Sequence, residues 1–561
     1  MTQRYLVLFL VLLVLLSRAN GQQTQTGLSC GTDPYVAQRI EADSAYRAFV
    51  LATRSTPTEK VDNETLYRIP VVFVVYHVGE AIGTGSNVSD ADLSYQLDLL
   101  NRRYAGVAPF NSPNSNIQFE LAKRTPGCAP FGGILRINAS GVPNYSNQGV
   151  TSHDVGTALA NSFPDYPNKM FDNFLVIRVV NTISFASGYA LINGGNVFVN
   201  ATGMKDRSDG NFLLAHEVGH VLSLFHTFYG SQLQSNYTFS CPANANPNTE
   251  GDYVADTDPH KEGNSGFCSP GYVNTCTGQP FGNLVYNNMN YSCGSVFSAG
   301  QVTRMRAFLQ TSYPTLANNI YLTTPSSAEA LKPISCQVGV GLTSSVGYRK
   351  GIQHVQFEQI NRQSGDSPHN DGYYQDFSCS NKTDVVMGQS YQLSITALYT
   401  YAYRQVYIDF DNNGVFDEAT ERVVGSTVYG GTSVHTINFP TISTTGTYLR
   451  MRILVDEGNT PPTACYLPGN AAYGAGQVED YAVRILSTAP PVCVLNTTLR
   501  SGLWTDPAVW SCGSVPTPAD PVSIGHAITI PAGQAVCALH IHFNTGGRIV
   551  YEPMGKLSQG Q

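Results

Sequence analysis

Charge is scarce in this chain. Of its 561 residues only 13% are charged, with 32 Lys and Arg against 40 Asp and Glu and a formal net charge of −8. No basic block occurs. That argues against nucleic acid as a partner, because holding phosphate needs clustered cations, and against adhesion to an anionic membrane surface. Beyond the amino-terminal segment no apolar run reaches about 18 residues, so no membrane span is expected. No two cysteines stand in a C-x-x-C pair, which removes the common cysteine-zinc knuckle. Tryptophan occurs only at Trp504 and Trp510, read as core aromatics with stacking on a sugar as the alternative. No clean internal repeat is visible. What is abundant is Gly (52), Pro (31), Tyr (32) and Phe (25), a mixture that suits strand-rich and loop-rich folded domains and is unlike a disordered chain. The length suits three or four domains of roughly 150 residues.

The first 21 residues read as a secretory signal peptide. Arg4 is the positive end, Tyr5 to Leu16 the apolar run, and Ala19-Asn20-Gly21 the small-residue cleavage site. An uncleaved signal anchor is the rival reading. Twelve cysteines then fit disulfide pairing in an oxidising, extracellular setting. Nine N-x-S/T sequons, at Asn63, Asn87, Asn138, Asn144, Asn200, Asn236, Asn290, Asn381 and Asn496, permit glycosylation.

Residues 22–66 are polar, with one helix expected from Asp33 as cap and Pro34 at its first position. Ile69 to Val78 is a continuous β-branched run, hence a buried strand. Ser89-x-x-Asp92 is a capping box before Leu93, Leu97, Leu100 and Tyr104 at helical spacing. Further strands are expected at Ile117–Leu121, Asn173–Asn181 and Asn196–Asn200, and helices at Phe212–Leu222 and after Ser298. Residues 67–318 thus mix helices and strands. From 330 to 487 short strands rich in Thr, Ser, Gly and Tyr predict an all-β sandwich. Ser487–Pro491 reads as a linker, and 492–561 as a short β-rich segment.

The chemistry lies in Leu213–His226, L-L-A-H-E-V-G-H-V-L-S-L-F-H. His216 and His220, four apart on a helix, can reach one Zn2+, with Glu217 beside the metal as general base. A turn out of the helix would bring His226 back as third ligand, leaving one coordination position open. An H-E-x-x-H arises by chance in roughly one chain in a hundred of this composition, and the added histidine makes chance rarer still.

This segment resembles the H-E-x-x-H-x-x-G-x-x-H signature of metzincin metalloproteases, and in particular the pappalysin (cytophagalysin) family. Val88–Asp92 with Asp98–Asn101 resembles that family's first helix, Ser187–Ala190 its substrate-edge strand, Asn287–Tyr291 its Met-turn and Ser298–Met305 its closing helix. The resemblance covers about residues 28–312. One departure is Ser223, where the family has glycine to turn out of the helix at positive φ. The resemblance implies an α+β metzincin domain with a twisted mixed sheet, one catalytic Zn2+, a protein or peptide substrate, Met289 as apolar floor and Tyr291 as an oxyanion or site-holding phenol. For Tyr291 the alternative is simple packing. The Asn290 sequon would then be buried. Cys241, Cys268, Cys276 and Cys293 would staple the Met-turn half of the domain with two bridges.

The same resemblance implies a calcium site at Asp252, Asp256 and Thr257, with a solvated loop as the alternative. It also makes Cys30, in C-G-T-D-P, a prosegment thiolate that caps the zinc and imposes latency. The competing role is a disulfide, for example with Cys128. If Cys30 were on the metal, eleven cysteines would remain and at least one more would be free or bonded to another chain. Gly476–Tyr481 resembles the signature of the GEVED domain. Asp409, Asp411, Asn413 and Asp417 form either a calcium loop or a hairpin with an Asn413-Gly414 type I′ turn. An EF-hand is excluded by Thr420 at position 12. His540-x-His542 is read as exposed surface. Two functions are weighed: a secreted zinc endopeptidase with accessory β domains, and a binding or adhesion protein with an inert protease-like domain. Glu217, the base, favours the first.

Overall fold

The computed structural model describes residues 30, 32–33, 36, 40–41, 44–54, 65–161, 174–312, 319–488 and 495–559, except 193, 195, 236–237, 248, 263–267, 292, 327–328, 330, 337, 341–350, 364–373, 398–400, 430, 442–443, 470–475, 519 and 554. The expected signal peptide, most of 22–66 and of the Ser487–Pro491 linker, Cys493, and the sequons at Asn63 and Asn236 lie outside the described residues.

The continuous β-branched run forms β1 (Tyr67–His77), in which Ile69 to Tyr76 are all buried. Such a strand needs cover on both faces, and it sits inside a sheet. Strands β2 (Ile117–Leu121), β3 (Ile134–Asn138) and β4 (Leu175–Val180) all pair with it in parallel. Strand β5 (Gly188–Ala190) runs antiparallel to β6 (Asn196–Asn200), giving the order β2-β1-β4-β6-β5 with β5 at the edge. Helix α1 (Ser44–Arg54) precedes the sheet.

Helix α2 (Asp90–Ala105) starts where the capping box predicts. The Asp92 amide donates to Ser89 Oγ, the Ser89 hydroxyl donates to the Asp92 carboxylate at 2.6 Å, and Gly106 ends the helix at φ 64°. Its Leu93, Leu100 and Tyr104 join Val71, Val75, Ile177 and Val199 from the sheet in one core. Helix α3 (Leu213–Val221) packs Leu214, Val218 and Val221 into that core. Helix α4 (Ala299–Ser312) closes it; the Gln301 amide donates to Ser298 Oγ at 3.1 Å and the Ser298 amide to Gln301 Oε1 at 2.9 Å, a reciprocal cap. Each fully buried aliphatic side chain contributes about 1.5–3 kcal/mol, so the sheet and α3 hold each other firmly. Cys241–Cys276 and Cys268–Cys293 staple the irregular stretch between α3 and α4.

The next unit is a sandwich. One sheet joins Tyr374–Asp376, Gln477–Leu486, Tyr448–Asp456, Tyr401–Ile408 and Arg422–Tyr429, with Lys382–Val386 also on the Gln477 strand; the other joins Thr432–Asn438, Ser390–Ala397, Ile352–Phe357 and Ile360–Gln363. The signature Gly476–Tyr481 is structural. A Cβ on Gly476 would stand 1.8 Å from the Val455 carbonyl oxygen. Buried Asp480 accepts from Arg452 at 2.7 and 2.8 Å and from Arg450 at 3.0 Å, while buried Glu479 accepts from Arg362 and the Tyr481 hydroxyl. Cys128–Cys379 ties the sandwich to the first domain, and Cys336–Cys465 lies within it.

Residues 496–559 form three parallel ladders of short strands. Asn496 pairs with Val522 and Val522 with Ile541, while Gly502 pairs with Ile528 and Ile528 with Ile549, so the chain returns above itself every 19 to 26 residues, a solenoid of short coils. This is a repeat that the sequence does not display, because coils of unequal length bury different residues, Trp504 and Trp510 in one and Val522, Ile524, Ile528 and Ala538 in others. Trp504 and Trp510 are buried against each other, centroids 5.0 Å apart, which removes the sugar-stacking alternative. Among the described residues, no helix is long and apolar enough to cross a membrane.

Candidate metal centre and active site

Helix α3 places His216 and His220 one turn apart, and the chain then leaves the helix through Ser223 at φ 77°. The Leu224 amide reaches back to the Gly219 carbonyl, and Arg304 of α4 donates to the Ser223 carbonyl at 2.7 Å. A β-carbon is thus accepted where the family pattern has glycine, at a cost of roughly 1–2 kcal/mol, and the turn still returns His226 to the site. Ser223 Oγ is buried without a partner. Ser223→Gly removes both the left-handed strain and the orphan hydroxyl, against a larger entropy loss for glycine. The net is about 1 kcal/mol of stabilisation, which should raise the midpoint of the zinc-dependent thermal transition by about 2–4 °C. An unchanged or lower midpoint would contradict the strain argument.

The three imidazoles are fully buried. Their Nε2 atoms face one another at 3.2 Å (His216–His226), 3.3 Å (His216–His220) and 3.2 Å (His220–His226). Each Nδ1 donates outward: His216 to the Asn288 carbonyl at 2.6 Å, His220 to the Leu224 carbonyl at 2.8 Å, and His226 to Asp33 Oδ2 at 2.8 Å. Burial holds His216 and His220 well below the usual imidazole range, so both are neutral. The three Nε2 atoms converge on one point. Zn–N bonds of about 2.05 Å in tetrahedral geometry put ligand nitrogens about 3.3 Å apart, which is the spacing seen. The donor set fits zinc.

Cys30 Sγ joins the group. It lies 3.6 Å from His220 Nε2 and 3.6 Å from Glu217 Oε2, and its ligand atom and those of the three histidines all lie within 4.8 Å of one another. A Zn–S bond of about 2.3 Å beside a Zn–N bond gives an S···N edge of about 3.6 Å, which is the distance to His220 Nε2. Cys30 is free, and Cys128 is bonded to Cys379, so the Cys30–Cys128 alternative does not hold. Cys537 is also free, which supplies the second unpaired thiol that parity requires. Cys30 bridges to Gly188 of β5 in parallel, and the Ala190 amide donates to Thr32 Oγ1 at 3.0 Å. Cys30 and Thr32 therefore lie along the sheet edge.

Glu217 is fully buried. Its Oε2 accepts from the Thr32 hydroxyl at 3.4 Å, its Oε1 has no hydrogen-bond partner, and burial pushes its carboxyl up to about 8. A Cβ on Gly188 would come within 2.9 Å of that Oε1, so glycine there leaves room for the carboxylate. Met289 is buried beneath α3, where a Cβ on Gly219 would meet its sulfur at 2.4 Å. The Tyr291 hydroxyl lies 3.4 Å from the Cys30 carbonyl oxygen, and its ring meets His226 edge-on, centroids 4.9 Å apart. Buried Arg103 of α2 holds this Met-turn through Asn288 Oδ1 at 3.0 Å and the Gly294 carbonyl at 2.8 Å. Asn290 is fully buried, as expected of its sequon; Asn87 and Asn496 are buried too.

The oxygen-rich loop works locally. Buried Asp252 accepts from Thr257 Oγ1, and Asp256 caps α4 through Ser298 Oγ and the Gly300 amide. Asp409 and Asp411 do converge, and the third carboxylate with them, all within 4.8 Å, is Glu421, not Asp417. Asp417 instead accepts from the Ala419 and Thr420 amides, and Asn413 donates to Asp411. A type I′ turn needs positive φ at both Asn413 and Gly414; positive φ occurs at Asn412 and Gly414, so the hairpin alternative is not formed. Sequence reasoning missed Glu421, one residue past the inspected position, and gave Asp33 the role of a helix cap. Its place three residues after Cys30 was the available signal. His540 and His542 lie at the surface of the solenoid.

Residues 184–310 match the family described as Pregnancy-associated plasma protein-A, and residues 403–484 match the GEVED domain. An extracellular metalloprotease of Verticillium alfalfae is 27% identical over 292 residues, 50% of this chain and 89% of that protein. Pappalysin-1 of Homo sapiens is 34% identical over 132 residues, 22% of this chain and 8% of that protein. An extracellular metalloprotease of Colletotrichum graminicola is 40% identical over 96 residues, and the chain spans 29% of its length. Among solved structures, mature mirolysin of Tannerella forsythia in complex with a cleaved peptide aligns at 24% identity with a TM-score of 0.36, over 46% of this chain and 97% of that one.

Proposed function

We propose, for a chain that carries a metallopeptidase domain of the pappalysin family followed by a GEVED domain, that the protein is a secreted zinc endopeptidase made as a latent proform. The observation that carries this is the near-equilateral triangle of buried Nε2 atoms with Glu217 beside it and Cys30 Sγ 3.6 Å from His220 Nε2. The disulfides fit an extracellular setting.

His216, His220 and His226 would hold the metal. Zinc bound there supplies Lewis-acid polarisation of a peptide carbonyl and acidifies a water. The protein's own part is proton handling and positioning. With Cys30 and Thr32 withdrawn, Glu217 faces the vacated position, takes the proton of the attacking water and returns it to the leaving amine. Edge strand β5, whose Ala190 amide is held by Thr32 in the latent form, is then free to pair with an extended substrate. Tyr291, whose hydroxyl now faces the Cys30 carbonyl, would face the substrate's carbonyl oxygen. Tyr291→Phe is expected to lower kcat by about ten- to a thousandfold, the scale of one oxyanion donor, with zinc content and folding unchanged. An unchanged kcat would return Tyr291 to packing. For calcium, Asp409, Asp411 and Glu421 are the group we propose.

Purified full-length protein tests the reading directly. Metal analysis should find one zinc, and casein hydrolysis after removal of the amino-terminal segment should be abolished by a zinc chelator and restored by added zinc. Activity that survives the chelator would reject it.

A further inference from the structure

Two of the three histidines are braced by the protease domain itself, through the carbonyls of Asn288 and Leu224. The third is braced differently. The group on His226 Nδ1 is the Asp33 carboxylate, 2.8 Å away and supplied by the amino-terminal segment that also carries Cys30. A carboxylate on the distal nitrogen of a ligand imidazole fixes its tautomer, aims the ring and raises its basicity, and losing such a partner commonly costs 10–100-fold in metal affinity. A backbone carbonyl, being neutral, does less. We propose that Asp33 is the positioning residue for His226, so that the segment which blocks the site also retains the metal. This rests on the latency reading of Cys30, and it adds a second contact between segment and centre that does not pass through sulfur.

The consequence follows from linkage. If the docked segment tightens zinc by some factor, zinc tightens docking of the segment by the same factor. Zinc loading of the proform therefore secures latency, and release of the segment removes the thiolate and the carboxylate together. The mature enzyme holds its metal less tightly than the proform.

The test uses the full chain in a Glu217→Gln background, which prevents self-cleavage. Zinc affinity is measured by competition with a chromophoric chelator, and thermal unfolding is followed with and without zinc. Asp33→Asn is expected to weaken zinc binding 10–100-fold, to lower the unfolding midpoint of the zinc-loaded form and to leave that of the zinc-free form unchanged. Asp33→Glu should recover part of the affinity. Affinity within twofold of the parent overturns the proposal, and so does an equal fall in both midpoints, which would make Asp33 merely structural. Cobalt substitution separates this from the premise. The near-ultraviolet thiolate-to-cobalt absorption reports Cys30 and should vanish in Cys30→Ser but persist in Asp33→Asn. Its absence in the parent rejects the Cys30 reading, whereas its presence with unchanged zinc affinity in Asp33→Asn rejects Asp33 alone.

Discussion

Glu217→Gln, in protein freed of its amino-terminal segment, is expected to keep its zinc and lose nearly all peptidase activity. Two of the three ligands stay braced by Nδ1 contacts within the protease domain that do not involve residue 217, and glutamine has the same shape, so the metal should remain at one per chain. What is lost is the carboxylate that, beside the cluster, would accept a proton from an attacking water. Loss of general acid–base assistance costs about 10²–10⁴ in rate, and here one group serves both transfers, so kcat/KM should fall by at least the upper part of that range. His220→Ala separates metal from base: removing a ligand should empty the site, with metal analysis reading well below one zinc. Full activity in Glu217→Gln, or its loss of zinc, would reject the assignment of the base.

Much of this site is legible in the sequence because its parts are local. The spacing of His216 and His220 is set by one helical turn, the two capping boxes by hydrogen bonds within four residues, and β1 by an unbroken β-branched run. Even the return of His226 follows from the chain immediately after α3, although serine stands at the turn. The illegible parts depend on contacts between distant segments. Asp33 reads locally as a cap, and only docking across 193 residues turns it toward His226. The pairing of Cys128 with Cys379, 251 residues apart, follows from how two domains meet, with the Arg124 guanidinium beside both sulfurs. The solenoid escapes because its coils differ in length and in the side chains they bury, from Trp504 and Trp510 to Ala538. Glu421 escapes because the loop places its carboxylate by closing around the Phe410 and Asp417 amides, not by fixed spacing from Asp409.

Cys30→Ser is expected to convert a latent protein into an active one without any cleavage. The thiol sulfur lies 3.6 Å from both His220 Nε2 and Glu217 Oε2, where the proposed mechanism needs a water or a peptide carbonyl, and Cys30 bridges to Gly188 of the edge strand. Thiolate is a strong zinc ligand, and a tethered one acts at high effective concentration. A serine hydroxyl in its place competes poorly with water, so the segment is left with its weaker contacts through Thr32 and Asp33 and should release often enough for substrate to enter. Peptidase activity of the uncleaved Cys30→Ser protein should therefore exceed that of the uncleaved parent by at least tenfold, approaching the activity of the protein cut after about residue 66. Thiol counting on denatured, unreduced proform gives an independent check. Cys30 and Cys537 should both react and map by mass, whereas Cys128, Cys241, Cys268, Cys276, Cys293, Cys336, Cys379 and Cys465, all paired, should not. A proform in which Cys30 does not react, or a Cys30→Ser protein as silent as its parent, would place the source of latency elsewhere in the segment.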